Sequence, residues 1–188
     1  MIKYTLIIAM LSSLIACGGI GQVRPVDSKS GYFSATKGGT AKAATITTNK
    51  PLDLDSRKAL ILVPTGDFTG SMVKNIGYFD EVINFDDLEK ALIQNNLTDE
   101  IPSLNGKIAM NKAAKKYKPF LWLHWDTRKD GNKSYQQLIL SDPITLEDYF
   151  ISETYLDYVW AGVSDQANAY PAFNALIDYI KANSKTYK

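Results

Sequence analysis

One cysteine, one histidine and almost no net charge set the first limits on this chain of 188 residues. A single thiol excludes an internal disulfide and any metal centre built on several thiolates, both of which need at least two cysteines. A single imidazole leaves His124 as the one residue that a His-dependent nucleophile or metal site can use. With 21 Lys plus Arg against 20 Asp plus Glu, the basic surplus of a nucleic-acid binder is missing. No repeat recurs at the periods of solenoid proteins. What is plentiful is aromatic: 11 Tyr, 7 Phe and 3 Trp, enough large side chains for one good core.

The only long apolar run lies at the N-terminus. Lys3 makes a basic opening, and residues 5–16 are apolar apart from Thr5, Ser12 and Ser13. As a helix this run reaches roughly 18 Å, against ~30 Å of hydrocarbon, so it is too short to span and suits a secretory signal. It closes on Leu14-Ile15-Ala16-Cys17. That order resembles the lipobox of bacterial lipoproteins: an apolar residue, a loosely restricted one, a small one for the peptidase pocket, then the thiol that accepts lipid. The resemblance implies diacylation of Cys17, cleavage before it and, usually, acylation of the new amine. Two or three chains at ~0.8 kcal/mol per buried CH₂ make a stable anchor. Gly18, rather than Asp, follows Cys17. In Gram-negative lipoproteins that pattern implies the outer membrane; a Gram-positive source would imply the outer leaflet of the plasma membrane. The bland alternative is an ordinary signal peptide with an incidental Cys.

The expected organisation is a signal peptide over 1–16, a lipidated N-terminus and tether over 17–56, and a globular domain over 57–188. Gly, Ser, Thr, Ala and Lys dominate 18–56, a tether composition. Two stretches there, Gly31-Tyr32-Phe33 and Ala44-Thr45-Ile46-Thr47, are apolar enough to lie along the domain. Ala59-Leu60-Ile61-Leu62-Val63 reads as a strand buried on both faces. A turn and a short helix over 70–76 follow, then a strand over 78–85. Asp86 with Glu89 three residues on predicts a capped helix to about residue 95. Met110, Ala113, Ala114 and Tyr117 predict a helix over about 107–117. Strands follow over 119–126 and 135–140, joined by an Asp130-Gly131 hairpin turn, with another over 148–152. A final helix over 169–182 carries Tyr170, Phe173, Leu176, Ile177 and Ile180 on one stripe, with Pro171 in its first turn. The fold class is α/β (α+β): a single mixed sheet of about five strands against three to four helices, on one face or both, preceded by a flexible tether.

KALILVP, NIGYFDEV, AAKKYKPFLWLHW and the hairpin into YQQLIL together resemble the small α/β domain of several envelope proteins. These are the curli secretion lipoprotein, the lipoprotein activators of penicillin-binding proteins and the N-terminal domain of the Tol-Pal translocation protein. The resemblance covers about 58–142, is a pattern of elements without a catalytic motif, and does not explain the last helix.

Several constellations offer chemistry, and each has a plainer reading. The stretch from Val63 to Ser71 has two glycines after a strand, but a phosphate loop needs a Lys before its Ser, and Gly70 stands there. Asp53-Leu54-Asp55-Ser56 offers paired carboxylates but precedes the first strand. Asp126, Asp130 and Asn132 lie at the hairpin, with Arg128 where a calcium loop needs an oxygen ligand. Lys107, Lys112, Lys115, Lys116 and Lys118 make a basic face that suits either solvent or an anionic surface. Phe120, Trp122, His124 and Asp126 share one strand face; Leu121, Leu123, Trp125 and Thr127 share the other. Residues 149–160 are dense in aromatics of the kind enriched at interfaces.

The function expected is that of a non-enzymatic, outer-membrane-anchored lipoprotein, facing the periplasm or the cell surface. Its domain acts as an interaction or assembly module of the envelope, with another envelope protein as partner and no nucleic acid. Cys17 is the lipidation site, and Trp122, His124, Tyr155 and Trp160 are the candidate partner-binding residues. No catalytic residue, cofactor or metal site is expected. The alternatives are an envelope glycan or lipid hydrolase, which needs a carboxylate or nucleophile–base pair, and a small-ligand binder, which needs a closed pocket lined by Trp122, Tyr155 or Trp160.

Overall fold

The computed structural model describes residues 23–34, 43–156 and 165–187. The leader, Cys17 and Trp160 lie outside the described residues. Six strands form one mixed sheet: β1 (Thr45–Asn49), β2 (Ile61–Val63), β3 (Val82–Asn84), β4 (Leu121–Asp130), β5 (Lys133–Asp142) and β6 (Glu147–Tyr155), in the spatial order β1-β6-β5-β4-β2-β3. β2 is parallel to β3 and β4, and the remaining pairs are antiparallel. Four helices complete the described fold: α1 (Asp67–Ile76), α2 (Phe85–Gln94), α3 (Gly106–Lys116) and α4 (Asp165–Asn183).

The mixed sheet with helices expected from the sequence is present, and the helices cover both faces. The apolar run at β2 shows why. Ile61 and Val63 enter a core with Met72 and Val73 of α1 and Phe173, Leu176 and Ile177 of α4. Leu60 and Leu62 enter a second core with Leu88 and Leu92 of α2 and Met110, Ala113 and Ala114 of α3. A strand with helices on both sides has no polar face to show. The stripe of α4 is as read, with Tyr170, Phe173, Leu176, Ile177 and Ile180 all at most 1% exposed.

Several element ends differ from expectation by a few residues, and three of the differences have a plain physical reason. Strand β3 ends at Asn84, and Asn84 rather than Asp86 caps α2: its side chain accepts from Asp87 N–H at 2.9 Å, and Asp87 accepts in return from Asn84 N–H. Asn caps as well as Asp does, so a run of Asn, Asp and Asp leaves the start ambiguous by sequence. Helix α4 begins at Asp165, which puts Pro171 inside it rather than in its first turn. Having no N–H, that proline forgoes one helical hydrogen bond.

The third lies before residue 56, where both stretches singled out as apolar enough to lie along the domain do so. β1 pairs antiparallel with β6, and Leu54 is fully buried. Residues 23–34 form a strap over α4. Phe33 is 3% exposed and sits against Tyr170 and Phe173, with ring centroids at 5.4 and 6.2 Å. Asn174 accepts from Phe33 N–H at 2.8 Å and donates to its carbonyl at 2.9 Å. Tyr32 donates to Asp178, and the Lys181 ammonium lies 4.2 Å from the Tyr32 ring. Average composition reads the region as tether, and the short apolar stretch Gly31-Tyr32-Phe33 is what marks the strap in an otherwise polar sequence.

Candidate functional site

Strand alternation assigns Trp122, His124, Asp126 and Arg128 of β4 to the face away from α4. Opposite them on β5 stand Ser141, Ile139, Gln137 and Tyr135, and next on β6 Asp148, Ile151, Glu153 and Tyr155. Helices α2 and α3 cover one end of this face. The Trp122 ring meets Phe85 edge-on at 6.4 Å there and belongs to the second core. Helix α3 reaches β6 through Lys107, which pairs with Asp148 at 3.0 Å, and the β5–β6 turn through Asn111, which donates to the Pro143 and Ile144 carbonyls. Beyond that line no described helix lies over β4, β5 and β6.

Two side-chain groups order this open face. At its covered margin His124 stacks on Trp122, with centroids 4.1 Å apart. His124 Nε2 lies 3.2 Å from Ser141 Oγ, and Ser141 donates to Asp148 at 2.6 Å. The hydroxyl has one proton and gives it to the carboxylate, so His124 Nε2 carries a proton and donates to Ser141. A nucleophilic triad needs the imidazole in the middle, accepting from the serine. Here the serine is in the middle and 3% exposed, an arrangement that holds the ring without activating the oxygen. Burial pulls the His124 pKa down, against the pull of Asp148. Burial would raise Asp148, but hydrogen bonds from Ser141 and Lys107 outweigh it and hold the carboxyl below its ordinary range.

At the far end, Arg128 grips Glu153 through two hydrogen bonds of 2.8 Å, from Nε and Nη2. Gln137 donates to the same carboxylate at 2.6 Å. The guanidinium lies 4.5 Å from the centroid of the Tyr135 ring, and Tyr135 is 5.7 Å from Tyr155. Tyr155 is 40% exposed. The Arg128 hydrogen bonds lower the Glu153 pKa despite its burial. Sequence reading missed Arg128, Gln137, Glu153 and Tyr135 because only the strand register brings them together. One signal was available: Glu153 shares a strand face with Tyr149, Ile151 and Tyr155, and a carboxylate among such side chains requires a partner.

The structure gives the remaining candidates local roles. Gly66, just before α1, and Gly70, inside it, border a cleft of about 80 Å³ that is also lined by Asp67, Lys74 and Asp87. That is small beside the ~300–1,000 Å³ of ligand pockets. Asp55 clasps the C-terminal tail. It accepts from Ser184 and Thr186 hydroxyls at 2.6 and 2.7 Å, from Lys185 N–H at 2.7 Å and from Tyr78 at 2.9 Å. Those bonds, Ser184 foremost, put its pKa far below the ordinary 3.8. Ser56 donates to the Asp53 carbonyl. Asp126 accepts from Thr127 N–H, and Asp130 pairs with Arg128 at 3.6 Å. Three lysines of the basic face have carboxylate partners: Lys107 with Asp148, Lys116 with Glu100 and Lys118 with Glu81. Among the described residues no cluster of three His, Cys, Asp or Glu side chains could hold a metal. Nor is any described helix long and apolar enough to cross a membrane.

No family model matches this sequence, and no curated protein matches it. Among solved structures, its fold is similar to that of the LpoB C-terminal domain from Salmonella enterica, at 16% identity and a TM-score of 0.37 over 54% of this chain and 84% of that one. The same domain from Escherichia coli matches at 16% identity and 0.35, over 53% and 83%. A PelC dodecamer from Paraburkholderia phytofirmans matches at 10% identity and 0.33, over 70% and 94%.

Proposed function

We propose that this protein is a lipoprotein of the outer membrane, anchored through Cys17, whose α/β domain binds another envelope protein without performing chemistry of its own. The observation that carries the reading is the face of β4, β5 and β6 over which no described helix lies. It is neither bare backbone nor loose side chain. Arg128, Gln137 and Glu153 are tied together, Tyr135 and Tyr155 stand beside them, and His124 is held by Trp122 and Ser141. Tyr, Arg and Trp are the residues that most often carry interface energy, and side chains already fixed lose little entropy on binding. The face is open rather than pocketed, which suits a protein surface better than a small ligand. In this reading His124 and Tyr155 meet the partner, and Trp122, stacked on His124, holds its ring. The anchor supplies the rest of the affinity, since confinement near the membrane raises effective concentration.

A photo-crosslinking amino acid at Tyr155, activated in intact cells, should yield an adduct with a second protein. The same group at Ile108, 75% exposed on α3, is the control. Equal labelling from both positions, or none from either, counts against this face. For the anchor, Cys17→Ser should abolish incorporation of a fatty-acid analogue; label retained by the Ser variant sinks the lipoprotein reading.

A further inference from the structure

We infer that the strap of residues 23–34 shortens the membrane tether and turns the open sheet face away from the bilayer. The inference rests on lipidation at Cys17, and it concerns the same surface proposed for partner binding. If the chain were free from Cys17 to β1 at Thr45, the domain would hang on 28 chain steps. The strap removes most of that length. Arg24 N–H donates to the Tyr170 hydroxyl at 3.0 Å, and Phe33 is buried and bonded on both sides of its peptide by Asn174. Between them, Asp27 folds the strap into a turn, accepting Gly31 N–H on its carbonyl and Lys29 and Ser30 N–H on its carboxylate. The chain is therefore fixed to the domain from about Val23 onward. Only six chain steps separate Val23 from Cys17, at most about 20 Å when fully extended.

The side on which the strap sits sets direction as well as reach. The strap lies on α4, and α4 packs on the sheet face that carries Phe150 and Leu138. Tyr155 and Glu153 belong to the opposite face by alternation. The layers therefore run strap, α4, sheet, open face, so the anchor leaves from the outer layer on the side opposite the docking residues. A lipid-anchored domain built this way lies close to its own membrane with its interaction face outward.

The test uses the chain beginning at Cys17, which keeps every described residue. Its only thiol can be coupled to a maleimide lipid in a supported phosphatidylcholine bilayer, so the outcome does not depend on whether cells acylate it. Neutron reflectometry reads the distance from bilayer to domain. Two variants accompany the parent: Phe33→Ser with Asn174→Ala, to release the strap, and an insertion of twenty Gly/Ser residues between Gln22 and Val23, which lengthens the tether and leaves the strap alone. Coil dimensions scale as ~5–6 Å times the root of residue number, so both variants should roughly double the mean separation. A parent already at the separation of the insertion variant overturns the short tether. So does a released variant that stays at the parent's distance while hydrogen exchange shows the Arg24 amide, bonded to Tyr170 in the parent, freed. A benzophenone side chain at Lys29 should add to lipid several-fold more than one at Tyr155; equal or reversed yields overturn the orientation.

Discussion

The two faces of one sheet are built by different means. Toward α1 and α4, Leu121, Leu123, Leu138, Leu140 and Phe150 meet apolar helix stripes, and the strap and the C-terminal tail close over the outside. Toward solvent, the same strands present Arg128, Gln137, Glu153, Tyr135 and His124, held by hydrogen bonds and ring contacts. The covered face gains its stability from area removed from water, which needs no particular pairing. The open face gains its order from charge-assisted pairs that exist only in one register. The contrast separates what holds the domain together from what the domain offers to others.

The largest expected effect lies on the covered face. Leu176→Ala should cost about 2–5 kcal/mol, the range for a packed core leucine, out of the ~5–15 kcal/mol typical of a domain. Ile151→Ala on the open face, half-buried and without a helix above it, should cost about 1 kcal/mol. Urea denaturation of the two variants compares the faces directly, and equal costs would erase the distinction. An unchanged midpoint for Leu176→Ala would make α4 peripheral to the domain.

The tail clasp belongs to the covered side and should show itself in acid. Asp55 is depressed below its ordinary 3.8 by the Ser184, Thr186 and Lys185 hydrogen bonds. A carboxylate depressed on folding contributes stability that is fully present above the unfolded value and lost as pH falls through the folded one. Asp55→Asn should therefore lower the midpoint at pH 7 and flatten the loss of stability below pH 4. Proteolysis after Lys185 should accelerate in the variant; resistance equal to the parent's would show that Tyr187, which packs on Tyr78 at 5.6 Å, holds the tail alone.

A smaller effect is expected where the open face is most ordered. Arg128→Gln leaves Glu153, 5% exposed, with Gln137 as its remaining described donor. Burial then raises the Glu153 pKa instead of being outweighed. The stability deficit of the variant should be greatest near neutral pH and should shrink as pH falls through the ordinary value of 4.5, where the carboxyl takes up a proton. A deficit independent of pH would mean that Arg128 acts by packing on Tyr135.

This division also decides how much could be read in advance. The strand–helix order, the double burial of Leu60 to Val63 and the stripe of α4 were legible, because hydrophobic period depends on neighbours in sequence. The Asp130-Gly131 signal gave the two-residue hairpin, and Gly131 has the positive φ, +55°, that the turn requires. The Arg128–Glu153 pair was not legible, since the two residues lie 25 positions apart and meet only across the β4–β5–β6 register. Of the strap, Gly31-Tyr32-Phe33 was legible as a stretch apolar enough to lie along the domain, but its docking place on α4 was not. Its neighbourhood is tether-like on average, and the Phe33–Asn174 pairing spans 141 positions. Of the candidate site, Trp122 and His124 were named from the strand face they share and from the single imidazole, and Tyr155 from the aromatic density of 149–160. That Trp122 supports His124, with His124 on the margin of the open face, followed only from the coordinates.

His124 is the point where the two faces meet, and its replacement should have the mildest consequence. Its ring lies on Trp122, which belongs to the second core, and it donates to Ser141 at the margin of the open face. Burial lowers its pKa below the ordinary 6.5. A histidine kept neutral by folding contributes stability present above 6.5 and lost as pH falls through its folded value, because the unfolded chain takes up the proton first. Glutamine can still donate to Ser141 and does not titrate. His124→Gln should therefore cost roughly 1 kcal/mol or less at pH 7.5, and the gap to the parent should close by pH 5. Urea midpoints at the two pH values check it, and a constant gap would show that the imidazole is not held neutral. The Tyr155 adduct should form at the parental level, compared at matched abundance because destabilisation alone lowers protein levels. If the adduct is lost while fold and abundance are normal, the docking surface extends to the covered margin, and His124 on its Trp122 platform becomes its centre.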